Sequence, residues 1–267
     1  MYDEVDGVND RVLEAMEGNC ASHASHLHPS VAGAQVLDSG DLVVADSGLA
    51  DDTFNLVCRA RFSDANAQAR VGEVIAMAGA VSRPFSWWVA PTSTPADLGR
   101  ILRECGLSES ETEEAMVAAL VDVPPAPDRE DLNVVVVESV EELRDYAWLM
   151  ARNWSPPSPA VVEFYERAAE AILADDCASR FVVGYRGLEP VAGAEVHVDS
   201  GVAGLYGIVT LDAHRRQGFG TAVTLAALDI ARSMGLTHAV LQASADGAPV
   251  YKKIGFTTVG TYTEYGV

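Results

Sequence analysis

At 267 residues the chain exceeds one ordinary small domain and suits one large domain or two of moderate size. Apolar residues make up 49% of it and charged residues 21%, which excludes global disorder. A net charge of −21, heavier in the N-terminal half, excludes nucleic acid as a bulk partner, while a cationic or neutral partner is easier to accommodate.

The opening "MYDEVDGVND" lacks a basic-plus-apolar leader, and no apolar run approaches the roughly 18 residues of a membrane span. Cys20, Cys58, Cys105 and Cys177 are scattered, with neither a C-x-x-C pair nor the density of a secreted scaffold. A cytoplasmic protein with reduced thiols is expected. "SHASHLHPS" sets His23, His26 and His28 at i, i+3, i+5. That cluster invites a metal reading, but its spacing suits no common zinc pattern and no cysteine pair accompanies it, so no metal is expected.

Further along, "DTFNLVCRARF" reads as a strand and "DANAQARVGEVIAMAGAV" as a helix. "PFSWWVAP" reads as a strand and "TPADLGRILRECGL" as a helix opened by Thr94 and Pro95. Adjacent Trp87 and Trp88 face opposite sides of their strand, one toward the core and the other free to reach a domain interface. An apolar, helix-like stretch follows. "VDVPPAPDREDLN" then concentrates proline and charge before "VVVV" and marks the linker, dividing the chain into domains 1–127 and 128–267.

Beyond it the patterning gives a strand at 133–139, helices at 140–153 and 159–174, and strands at 179–186, 190–199 and 203–211. A helix at 218–234, a strand at 238–244, a short helix at 247–254 and a strand at 256–264 complete it. Val223, Ala227, Ile230 and Met234 recur at helical spacing, and Gly235 supplies the stop. The N-terminus of that helix therefore lies at "RRQGFG". Both halves are mixed α/β.

A strand that passes into a helix through "RRQGFG" leaves the first helical N–H groups unpaired and aimed at one spot. The helix dipole, Gly218, Gly220, Arg215 and Arg216 all favour an anion there, and a pyrophosphate fits. The P-loop pattern is absent, and "GFGTAV" puts bulky Val223 at the third glycine position of a dinucleotide fingerprint. What remains is R-x-x-G-x-G, Arg215 to Gly220.

This motif resembles the acetyl-CoA loop of GNAT-superfamily N-acetyltransferases, and the resemblance runs across residues 133–264. "LYGIVTLDAHRRQGFG" is similar to the family's fourth strand and pyrophosphate loop, and "HAVLQASADGAPVYKKIGF" to its fifth strand, next helix and Y-x-x-x-G-F signature. The N-terminal half lacks these motifs. Its strand–helix order resembles the degenerate first domain of tandem GNAT proteins, so two GNAT-like domains in tandem are expected.

The resemblance implies that the fourth and fifth strands splay apart and that Ile208, Val209 and Thr210 offer backbone to the pantetheine arm. Arg215, Arg216, Gln217, Gly218, Phe219, Gly220 and Thr221 would hold the pyrophosphate. Tyr251 matches the tyrosine that protonates the leaving sulfur, a role suited to a phenol, and Ser244 a polar residue beside the cofactor.

The proton acceptor stays open. Glu195 is the best-placed acid and shares its strand face with His197, but a solvated Glu195 is an equal alternative, and the fourth strand offers only Tyr206 and Gly207. Trp154, beside Pro156 and Pro157, falls where the family covers its acceptor, or else is a domain-contact residue. Tyr206 is a further pocket candidate, and Asp246 reads as the cap of the following helix.

The implied activity is direct acetyl transfer from acetyl-CoA to a primary amine in a ternary complex, with no metal. The alternative is a non-catalytic acyl-CoA-binding or sensor protein. Expected partners are a small-molecule or peptide amine, without nucleic acid or membrane, and a homodimer is compatible with the sequence.

Overall fold

The computed structural model describes the backbone of residues 2–266 and the side chains from Asp10 onward. The N-terminal half runs α1 (Tyr2–Ser25), β1 (Gln35–Asp38), β2 (Val43–Asp46), β3 (Leu56–Cys58), α2 (Ala67–Val81), β4 (Ser86–Val89), α3 (Leu98–Glu104) and β5 (Ser108–Ala119). The C-terminal half runs β6 (Asn133–Val136), α4 (Val140–Ala151), α5 (Pro159–Ile172), β7 (Ser179–Arg186), β8 (Glu189–Asp199) and β9 (Val202–Thr210). It ends with α6 (Phe219–Ser233), β10 (His238–Ala243), α7 (Ala248–Lys253) and β11 (Thr257–Gly266).

All eleven strands join one mixed sheet, in the order β1-β2-β3-β4-β11-β5-β10-β9-β8-β7-β6. The two halves repeat one plan. β1, β2 and β3 pair antiparallel, α2 crosses to the parallel strand β4, and α3 leads to β5. In the same way β7, β8 and β9 pair antiparallel, α6 crosses to the parallel strand β10, and α7 leads to β11. The last strands are exchanged: β5 pairs with β10, β11 pairs with β4, and the two pair with each other along most of their length. No helix among the described residues is long and apolar enough to cross a membrane.

Two expectations need correction. The helix-like run before residue 121 is the strand β5, because its Ala, Glu and Met residues favour a helix only locally, whereas here the segment is hydrogen-bonded on both sides, to β10 and β11. The helix expected to open at Thr94 starts at Leu98, since the Thr94 N–H and C=O are bonded to Ala60 and Phe62. Helix α1 and strands β1 and β2 were not anticipated.

Helix α6 packs Phe219, Val223, Ala227 and Leu228 beneath the sheet, each about fully buried. A buried side chain of that size contributes roughly 1.5–3 kcal/mol, so this one face fixes the direction of the helix. Trp87 is fully buried, while Trp88 stays partly exposed and packs near Tyr262.

Asn19 anchors helix α1 to the other half. Asn19, wholly buried, donates from Nδ2 to the carbonyls of His197, Asp199 and Val202 at 3.1–3.2 Å, and its Oδ1 accepts from the Tyr206 hydroxyl at 2.7 Å. One helical turn further on, His23 is brought onto β8 and β9.

Candidate active site

Parallel pairing between β9 and β10 is confined to Ala203↔Ala239 and Gly204↔Val240, and beyond it the strands part. On its other side β9 carries a bulge, because Gly193 pairs with Val209 but Glu195 with Tyr206. Gly207 sits in the bulge at φ +53°, and a Cβ there would collide with the Tyr146 hydroxyl. The backbone of Ile208–Thr210 is thereby turned along the open edge.

At the end of that edge, Arg216 (φ +64°) and Gly218 (φ +82°) turn the chain into α6. Among the described residues, none of the backbone N–H groups from Arg216 to Thr221 has a protein partner; the first helical bond is from the Ala222 N–H to the Gly218 carbonyl. Arg215 stays with the strand end, donating to the Thr210 carbonyl at 3.2 Å and pairing with Asp212 at 2.9 Å. Gln217 donates to the Ala213 carbonyl, and the Phe219 ring is buried in the core, so Phe219 offers the loop only its N–H.

The splay opens into a cavity of about 560 Å³ between the halves, lined by Tyr251, Ser244, Ile208, Tyr206, Glu195 and Trp154 among others. Six residues chosen from scattered motifs thus share one space. Burial first, then the Glu113 charge, pushes the Tyr251 phenol up to about 12. Ser244 lines the cavity but also accepts the Gly247 N–H at 3.3 Å, the turn-capping role expected of Asp246, which is exposed.

Glu195 is 2% exposed, so the solvated alternative falls. Its Oε1 accepts from the Ser179 hydroxyl at 2.6 Å and lies 3.2 Å from His23 Nε2. Burial alone would raise its pKa, but His23, His26 and Ser179 reverse that and hold it at about 2. Ser179 Oγ also lies 3.1 Å from His26 Nε2 and 3.0 Å from His197 Nδ1. His197 is held neutral by burial, its pKa lowered to about 2, and its Nε2 meets Ser22 at 2.9 Å. The His23 ring stacks on Tyr206 at 3.6 Å.

The acetyltransferase (GNAT) family profile matches residues 140–256. These residues form a GNAT-family acetyltransferase domain. The chain accordingly carries an acyltransferase domain of that family. Solved structures repeat its fold over nearly the whole length. A GCN5-related N-acetyltransferase from Kribbella flavida matches at TM-score 0.69 and 20% identity, over 94% of this chain and 95% of its own. One from Sphaerobacter thermophilus matches at 0.58 and 15%, over 86% and 82%. A tandem GNAT protein from the clavulanic acid biosynthesis pathway matches at 0.61 and 12%, over 98% and 95%. The repeated plan of the two halves is this tandem GNAT arrangement. No curated protein matches the sequence.

The candidate site contains residues that sequence reasoning did not place there. His23 comes from α1 of the first half and His26 from the turn that follows it; their clustering was visible, but their partners, Glu195 and His197, lie some 170 residues away. His26, Glu195 and His197 each bring one ligand-type atom within 4.8 Å of the others, with the Ser179 hydroxyl bonded to all three. His28 does not join them: its Nε2 donates to the Phe54 carbonyl at 2.8 Å.

The N-terminal wall of the cavity is acidic, with Asp52, Glu111, Glu113 and Glu264. Burial, then Glu111 and Glu264, raises Glu113 to about 7. Ionising it in the folded chain therefore costs stability as pH rises from the ordinary carboxylate range through 7, about 1–3 kcal/mol after allowance for partial exposure. Glu113→Gln is expected to raise the Tm by several degrees at pH 8 and to leave it unchanged at pH 4, as calorimetric scans would show. An equal effect at both pH values would contradict this.

Proposed function

We propose that the chain transfers the acetyl group of acetyl-CoA to a primary amine by direct attack in a ternary complex. The observation that carries the reading is the succession along one strand edge: a cavity holding a half-buried phenol and a carboxylate is lined by Ile208, and the same edge runs on through Thr210 to six N–H groups without a partner among the described residues. In this reading the N–H groups of residues 216–221 hold the pyrophosphate, with the α6 dipole behind them. Arg215 braces the loop and Arg216 adds charge. Ile208–Thr210 bonds the pantetheine amides as an added strand.

The amine nitrogen attacks the thioester carbon, the C–S bond breaks, and the thiolate takes the Tyr251 proton. The amine proton passes to the His23–Glu195 pair. Glu195 with a pKa near 2 is a weak base by itself, but it fixes His23 with Nε2 toward the carboxylate and so leaves Nδ1 as the acceptor. Ser244 supports the thioester side, and Trp154 and Tyr206 wall the acceptor. Residues 1–127 and 128–267 are the two domains of this reading, with one active centre, no metal and cytoplasmic residence.

The reading is tested by calorimetry with acetyl-CoA, followed by free-thiol release with a panel of amines. One site per chain and amine-dependent thiol release are expected. Binding without release with any amine would favour a sensor. For the loop, Gly218→Trp is expected to weaken acetyl-CoA at least ~100-fold, since an indole would fill the space the N–H groups face. A variant of unaltered Tm and unaltered affinity would displace the pyrophosphate from this loop.

A further inference from the structure

We propose that the acceptor is a linear di- or polyamine whose second ammonium is held by carboxylates of the exchanged strands. The proposal rests on the reading that this cavity receives the amine. Register places Glu264 of β11 directly opposite Glu111 of β5, with Glu113 two positions further along the same face. Like charges opposed across a ladder destabilise it. Here they stand on a cavity wall together with Asp52, and among the described residues no lysine or arginine lines that cavity. Glu264 is met by the hydroxyls of Ser86 and Ser110, which leave its charge uncompensated. A bound cation would turn the repulsion into attraction.

A separate observation points the same way. His28, 2% exposed, lines the cavity, and because Nε2 donates to the Phe54 carbonyl, Nδ1 is left as a buried acceptor without a partner among the described residues. An unpaired acceptor suits an N–H donor and repels an anion. The same cavity has aromatic walls: Phe54 and Phe164 stack at 3.8 Å, and Trp88 lines it with them. They suit a methylene chain, with cation–π attraction at its charged ends. Carboxylates, aromatic faces and Tyr251 on one cavity suit an ammonium, a methylene chain and a reacting amine. An amino acid would carry its carboxylate toward the same acidic wall.

The test is calorimetry on the full chain with spermidine, 1,4-diaminobutane and n-butylamine at fixed ionic strength, with and without CoA, and with acetyl-CoA titrated separately. Spermidine is expected to bind at least tenfold more tightly than butylamine, with diaminobutane between them. The double variant Glu111→Gln/Glu264→Gln is expected to lose that preference and keep its acetyl-CoA affinity within twofold. Its Tm without amine is expected to rise, because the opposed charges are gone, which separates the effect from damage to the fold. Butylamine binding as tightly as spermidine, no amine binding at all, or a preserved preference in the double variant would each overturn the proposal. Spermidine preference without acetyl-CoA binding would support the diamine site and overturn the acetyl-transfer reading alone.

Discussion

Tyr251→Phe is expected to lower kcat by about 10²- to 10⁴-fold, the range for removal of a positioned general acid, and to leave acetyl-CoA affinity within twofold. The reason is the economy of the change. One oxygen is removed, while the ring keeps its edge contact with Phe256 at 6.1 Å and the packing of α7 is untouched. Burial and Glu113 hold the phenol near 12, so it carries its proton throughout the working range and has one to give when a thiolate departs. The wild-type rate is therefore expected to show no loss from Tyr251 ionisation below pH 10. Turnover measured from pH 6 to 10 checks both statements, and an unchanged kcat at every pH removes the residue from the chemistry.

Glu195→Gln is expected to have the second large effect, on stability as well as turnover. The wild-type carboxylate meets Ser179 and His23 through one oxygen, Oε1, so an amide of the same shape keeps both contacts and loses the charge they serve. Hydrogen bonds to a charged acceptor contribute about 1.5–3 kcal/mol, part of which the neutral amide forfeits. The pH dependence carries the sign. A carboxyl held at about 2 contributes stability that is fully present above the ordinary carboxylate range and is lost as pH falls toward 2, about 3 kcal/mol in all. The gap in Tm between wild type and variant should therefore be full at pH 7 and narrow progressively below pH 4.5. His23→Gln separates the roles. Its side chain is 25% exposed, so turnover should fall with a smaller change in Tm. A His23 variant of wild-type kcat would leave the proton without the acceptor proposed.

The C-terminal half was legible in the sequence for physical reasons that act locally. Apolar residues at helical spacing gave α6, Gly235 stopped it, and the alternating runs gave β7, β8 and β9 within a residue or so at each end. Arg216 and Gly218, the loop residues at positive φ, belong to a motif of contiguous residues, and contiguous motifs survive any tertiary arrangement. The N-terminal half was less legible because its strands are short: β1 and β2 have four residues each and β3 three, too few for a period to declare itself.

Strand β5 was misread because "EEAMVAAL" follows its own helical propensity as a peptide. It becomes a strand only where two neighbours, one of them from the other half, satisfy its backbone on both edges. Glu195 could not be assigned for a similar reason. Alternation along β8 told which residues share its face, but what covers that face is α1, anchored by Asn19 from across the molecule.

The sequence by itself determined the fold class of the C-terminal half, the loop of unpaired N–H groups and the position of Tyr251, since each depends on neighbours a few residues apart. Only the tertiary structure decided that the first half completes the second. The strand exchange, the arrival of His23 and His26 beside Glu195, and the opposition of Glu111 and Glu264 all arise from pairings between residues more than a hundred positions apart. Their register is chosen by the burial of the whole sheet and leaves no local pattern to read.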